Sequence, residues 1–154
     1  MPLTITAANS VYKLSIPDLY PVAQTLQGYM ADAAFATQAV EPTETVMGVD
    51  GHLSGGWRPT STRQTISIMP DSPSYTIFEN WKNAQDAQRE VMIANATIDI
   101  PSLGKTYTLT RGFLRGAKTI PDARTVMQGS EFEIEWNWIT PSNLGLSVNL
   151  SVTL

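Results

Sequence analysis

The hydrophobic pattern along the chain has mostly period two, the repeat of half-buried strands. Residues 62–69 alternate around Ile66 and Ile68, and residues 96–100 set Ile98 and Ile100 on one face with Asp99 on the other. Residues 105–115 carry Tyr107, Leu109 and Phe113 at alternating positions, with Gly112 inside the run as a bulge or bend. Residues 131–139 alternate almost without interruption, and residues 146–153 repeat the pattern with Leu146, Val148, Leu150 and Val152 on one face. Residues 20–28 and 32–40 are weaker strand candidates. Turn signals separate these runs, among them Pro17-Asp18, Asp50-Gly51, Gly55-Gly56, Pro101, Pro121-Asp122 and Pro141-Ser142-Asn143.

One segment has a different period. Ser72-Pro73 is a helix entry, because a serine can accept an amide of the first turn and proline is tolerated at the first helical position. Ile77, Phe78, Trp81, Ala84 and Val91 then recur near helical spacing, while Glu79, Lys82, Gln85, Asp86 and Arg89 lie elsewhere. The spacing predicts an amphipathic helix over about 73–89 whose Trp81 stripe closes one end or face of a β structure. The reading is therefore mainly β: one domain over residues 1–154, an antiparallel β sandwich or partly open barrel with one packed α-helix.

Composition narrows what such a domain can do. The 154 residues are 42% hydrophobic and 16% charged, enough apolar material for a core and too little charge for disorder. Lys and Arg number 10 against 14 Asp and Glu, a net charge of −4, the wrong sign for a protein that grips phosphates over a broad surface. With no Cys there is no disulfide framework, thiolate metal site or Cys nucleophile. The single histidine, His52, excludes a multi-histidine metal site, and its place after Asp50-Gly51 reads as a loop. No phosphate-binding glycine motif, nucleophile elbow or calcium loop is present. No catalytic residue, cofactor or metal is expected. The chain has neither an 18-residue apolar run nor a leader pattern at Met1, so no membrane anchor is expected.

Two constellations carry more information. In residues 131–139, Glu131, Glu133, Glu135 and Asn137 share one strand face, and Phe132, Ile134, Trp136 and Trp138 share the other. The aromatic face reads as core. Three carboxylates two residues apart want water, so theirs is either a solvated outer face or a surface that repels something negative. Residues 41–61 are rich in Gly, Pro and Thr yet hold Val46, Met47, Val49, Leu53 and Trp57. They form either a self-packed hairpin turning at Asp50-Gly51 or an arm, about 42–60, that buries itself on a neighbour.

The order of these pieces resembles the tail tube proteins of contractile-tailed bacteriophages, from about Leu19 to Ile139. The stretches that carry the resemblance are Gly48-Val49-Asp50-Gly51 and Thr65-Ile66-Ser67-Ile68-Met69-Pro70-Asp71-Ser72-Pro73-Ser74 with the helix behind it. Thr97-Ile98-Asp99-Ile100-Pro101, Gly104-Lys105-Thr106-Tyr107-Thr108-Leu109 and a late strand ending in Glu135-Trp136 follow. Type VI secretion and contractile bacteriocin tube proteins are similar in fold. Residues 142–154 have no place in that pattern and read as an extra C-terminal strand.

The resemblance implies a structural virion protein, located in the phage tail and assembled in the host cytoplasm. Sixfold rings of it stack into the inner tube through which DNA is ejected. Its implied partners are further copies of itself, a tail sheath protein, baseplate and tail terminator proteins, and DNA that passes through the lumen without tight binding. On that reading Glu131, Glu133 and Glu135 line the channel, and Val46, Met47, Val49, Leu53 and Trp57 make the contact between rings. Two other readings stay open: a carbohydrate-binding β-sandwich module using exposed Trp57 or Trp81, and the tube of a contractile injection system without a genome.

Overall fold

The computed structural model describes residues 10–27, 35–101, 103–118, 120–121, 123 and 125–143. In chain order the elements are β1 (Val11–Ile16), β2 (Tyr20–Thr25), β3 (Phe35–Thr37), β4 (Thr43–Met47), β5 (Leu53–Trp57), β6 (Thr62–Ile68), α1 (Pro73–Gln88), β7 (Ala94–Ile100), β8 (Lys105–Ala117) and β9 (Ser130–Asn143). Seven strands form one antiparallel sheet in the order β2-β1-β7-β8-β9-β6-β3, and β4 and β5 form a separate two-stranded hairpin. The expected mainly-β fold with one helix is what forms. Residues 146–153 lie outside the described residues.

The large sheet rolls over on itself. β1 and β6 stand four strands apart in its order, a span of roughly 19 Å in a flat sheet. Yet Tyr12 Oη of β1 donates to Gln64 Oε1 of β6 at 2.6 Å, and the rings of Tyr12 and Phe35 of β3 meet edge to face at 5.7 Å. The edges β2 and β3 are not paired with each other, so the roll is a partly open barrel.

Helix α1 begins as its sequence dictates. Ser72 Oγ accepts from Ser74 N at 3.1 Å, Pro73 takes the first turn, and Arg89 ends the helix in the left-handed region at φ 56°. Ser72 Oγ also donates to the Gln27 carbonyl and Ser74 Oγ accepts from Gln27 N, which ties the helix start to the segment after β2. Its buried stripe of Tyr75, Ile77, Phe78 and Trp81 packs inside the roll. Phe78 stacks on Phe132 of β9 at 4.6 Å, Tyr75 meets the same ring edge-on, and Trp81 Nε1 donates to the Met92 carbonyl.

At the centre is a polar hub that strand alternation points inward without naming its partners. Gln64 is buried, and its Oε1 accepts from both Tyr12 Oη and Trp136 Nε1 while its Nε2 donates to Thr37 Oγ1. One amide thus ties β6 to β1, β9 and β3. A buried amide satisfied on both sides fixes the roll, where an unsatisfied one would oppose it.

Three local expectations are corrected. Trp138 is not in the core: it is 65% exposed, whereas Phe132, Ile134 and Trp136 are buried. The cause lies in β8, where Ala94 pairs with Gly112 but Ala96 pairs with Leu109, so Thr110 and Arg111 together stand opposite Asn95. Arg111 takes the left-handed region at φ 56°, and its N donates to Asn95 Oδ1. Leu109 and Gly112 therefore both face inward, three residues apart, and their partners Ile139 and Trp136 follow in step. That change of parity turns Trp138 outward and sets Phe113, across from Glu135, on the outer face with the Arg111 guanidinium 5.8 Å from its ring centre. Gly112 has no side chain because the Trp136 ring occupies the place: a Cβ there would sit 2.5 Å from two ring carbons.

The turn signal at 141–143 is overridden as well. β9 runs on through Pro141, opposite Tyr107, in a stretch where β6 has already ended, so one side of the strand needs no ladder donor. Finally, the β4–β5 turn is a three-residue loop of Val49, Asp50 and Gly51 rather than a two-residue one. Gly48 N donates to the His52 carbonyl, Gly51 N to the Gly48 carbonyl, and Gly51 takes φ 88°, the left-handed position that favours glycine.

Candidate assembly surfaces

The β4–β5 hairpin buries none of its ten strand residues. Its register sets Thr43 opposite Trp57, Thr45 opposite Gly55 and Met47 opposite Leu53 on one face, and Glu44 opposite Gly56 and Val46 opposite Ser54 on the other. Of the five sequence-predicted contact residues, Met47, Leu53 and Trp57 thus share a face, Val46 takes the opposite face and Val49 stands in the loop at the tip. All five are more than 60% exposed. Hairpins without a packing partner are marginal in water. Among the described residues nothing covers the apolar side chains that this one carries.

A groove of about 330 Å³ lies at the root of the hairpin, lined by Trp57, Arg58, Pro59 and Thr60 and by Asn137 and Trp138 of β9. Trp138 was assigned to the core by alternation, so sequence reasoning missed this surface; the signal that could have found it is the bulge-prone Arg111-Gly112 pair on the neighbouring strand. Arg58 at the groove holds Glu41, with its Nη2 3.3 Å from Glu41 Oε2 and its Nε donating to the Glu41 carbonyl.

The glutamate face is less acidic than its sequence suggests. Register sets Arg63 of β6 across from Glu135, and Arg115 of β8 lies beside the same pair. Arg115 Nη1 approaches Glu135 Oε1 at 2.7 Å and Arg63 Nε at 3.2 Å, while both guanidinium groups lie 3.7–3.8 Å from Glu133. The hydrogen bond from Arg115 holds the Glu135 carboxyl below its usual range against an opposing desolvation, with Arg63 and Ser61 adding to it. The same hydrogen bond raises the Arg115 pKa. Glu131 is exposed and joins no ion pair among the described residues. The remainder of this outer face is hydroxyl-rich, with Lys13, Thr97, Thr108 and Thr140 in register across four strands.

A second cleft, of about 300 Å³, opens into the barrel between Phe35, Ile98, Ile100, Tyr107, Leu109 and Ile139 and is almost wholly apolar. His52 is exposed beside the hairpin loop, its N donating to Asp50 Oδ1. Among the described residues no three His, Asp or Glu side chains gather as a metal site, and no helix is long and apolar enough to cross a membrane.

The fold recurs in solved structures of contractile machines. A chain of the anti-feeding prophage baseplate, solved by cryo-electron microscopy with sixfold symmetry, aligns with TM-score 0.55 and 11% identity over 95% of this chain and 100% of that one. A chain of the sheath–tube complex of an extracellular contractile injection system in its extended state aligns with TM-score 0.60 and 11% identity over 92% and 93%. A chain of the anti-feeding prophage tube-terminating cap aligns with TM-score 0.55 and 8% identity over 93% of each. At such identities the likeness is one of fold. No curated protein matches the sequence. Residues 3–140 match a family of phage tail proteins, and the chain belongs to that family, described as tail fiber protein gp32.

Proposed function

We propose that this protein is a structural subunit of a contractile-tail particle that works by joining copies of itself into stacked rings, the inner tube through which DNA leaves. The observation that carries this reading is the β4–β5 hairpin, preformed yet unburied on both faces. Membership of a tail-protein family and a fold shared with chains from a sheath–tube complex, a cap and a baseplate support it. The family is one of tail fibre proteins, so a ring at the tail end is the variant nearest to the tube itself. In either place the partners are further copies, a sheath, and baseplate or terminator proteins. In a particle without a genome the same ring would pass another cargo.

Edges at β2 and β3 that no other described strand pairs support lateral closure, because neighbours in a ring can pair such edges and so remove them. The face of Glu131, Glu133 and Glu135 is proposed as the channel wall, on a revised argument. Phosphates are held by cations whose counterions they release. Here the charges of Arg63 and Arg115 are offset by Glu133 and Glu135, which weakens their pull on a phosphate. A wall of paired charges and hydroxyls lets a polyanion slide. Negative-stain microscopy of the purified protein over a concentration series tests the proposal. Rings or rods are expected, and a dispersed monomer at every concentration would overturn it.

One observation favours a second reading. Trp57 and Trp138 line a common groove with polar Thr60 and Asn137, an arrangement that suits sugar binding. Binding of glycans by the monomer, abolished by Trp138→Ala, would support that reading against the first.

A further inference from the structure

Among the described residues the barrel is closed at one end only, and we infer that residues 146–152 fold back along β9 and close the other end with Leu146, Val148 and Leu150. At the closed end helix α1 covers the start of β9, where Phe78 stacks on Phe132, and lies beside Ala117 at the end of β8. At the far end is the apolar cleft of about 300 Å³, lined by Ile98 and Ile100 late in β7, Tyr107 and Leu109 early in β8, and Ile139 late in β9. Ile100, Tyr107 and Ile139 are only half-buried there.

The cleft arises from a difference in strand length. β8 and β9 stay paired out to Lys105 and Asn143, whereas β6 meets β9 only as far as Thr62 opposite Trp136. From Asn137 to Asn143, β9 therefore has a partner on the β8 side and none on the other among the described strands. Such an edge takes a further strand. The chain leaves β9 at this same end, and its next stretch is a strict alternation of apolar and polar residues.

Parity assigns the register. Leu144-Gly145 has the length of a two-residue hairpin loop. Folding about it sets Leu146 opposite Asn143, Val148 opposite Pro141 and Leu150 opposite Ile139. Ile139 faces the cleft, so all three apolar side chains turn into it. Ser147, Asn149 and Ser151 fall on the outer face, where they extend the hydroxyl-rich row of Thr97, Thr108 and Thr140. A slip of one residue would bury those polar groups and expose the apolar ones, so the pattern selects this register. Pro141 has no N–H to give along the edge, and the seat relies on side-chain burial more than on ladder bonds. It does not depend on ring assembly.

The chain has no cysteine, so an introduced pair reports proximity without interference. In the full chain, Ile139→Cys with Leu150→Cys is expected to oxidise to an internal disulfide more than about tenfold faster than Ile139→Cys with Ser151→Cys, whose side chain points to the opposite face. Nonreducing gels and mass spectrometry of dilute protein read the link. Equal rates for the two pairs would overturn the seat. So would a linked dimer, because the strand then comes from another copy. Hydrogen exchange of the wild type is the second measurement and needs no substitution. The amides of Val148 and Leu150 are expected to exchange more than about tenfold more slowly than in a peptide of residues 144–154. Exchange at the peptide rate would overturn the inference. Protection found instead at Leu3 and Ile5 would do the same: β1 also begins at this end, with Val11 opposite Asp99, and the cover would then be residues 1–9.

Discussion

The body of the protein and its hairpin spend the same kind of side chain in opposite ways. In the body Trp81 and Trp136 are wholly buried, and each indole N–H has an acceptor, the Met92 carbonyl and Gln64 Oε1. At the hairpin and its root Trp57 and Trp138 are 78% and 65% exposed. Burying such a ring contributes about 1.5–3 kcal/mol, and large exposed apolar patches rimmed by polar residues mark surfaces that meet other molecules. The barrel uses its indoles to stabilise the monomer, and under the proposed function the hairpin keeps its apolar surface for another molecule.

That division is sharpest where a substitution touches one side only. Gln64→Leu removes the acceptor shared by Tyr12 and Trp136 and the donor to Thr37, and is expected to lower unfolding free energy by about 2–4 kcal/mol in a denaturant titration. Wild-type stability in this variant would show that the hub is not what fixes the roll. Gly112→Ala forces a methyl into the Trp136 ring, which packing and Gln64 hold in place, and is expected to cost about 1–3 kcal/mol by the same measurement. Trp57→Ala should change monomer stability by no more than about 0.5 kcal/mol while suppressing rod growth seen by light scattering; a large loss of stability would mean that the hairpin packs on the body after all.

The smallest effect concerns the glutamate face. Glu135 has a carboxyl pKa lowered in the fold, so its ion pairs stabilise the protein above the ordinary carboxyl value of 4.5 and lose that contribution as pH falls through the lower folded value. Thermal melts of wild type and Glu135→Gln should therefore differ slightly at neutral pH and converge in acid. A gap that widens toward low pH would contradict the ion-pair account.

Much of the fold was legible because the signals are local. Ser72-Pro73 and the spacing of Ile77, Phe78 and Trp81 place the helix within a residue of its observed end, and period two places the long strands. What failed was non-local. A single left-handed residue, Arg111, changes the parity of β8 and, through pairing, of β9, so alternation put Trp138 and Phe113 on the wrong faces. The ion pairs of the glutamate face were hidden for the same reason. Glu135 finds Arg63 72 positions away and Arg115 20 positions away, partners that only register can bring together. The hairpin's apolar residues were visible in sequence, but only the structure separates them from the core.

Fluorescence quenching by acrylamide tests the central claim most directly, because the four tryptophans divide evenly between core and hairpin surface. In dilute monomer about half the emission should be quenched readily, and on assembly that fraction should fall as Trp57 and Trp138 become covered. Assembled particles in which both remain as open to quencher as in the monomer would contradict the account.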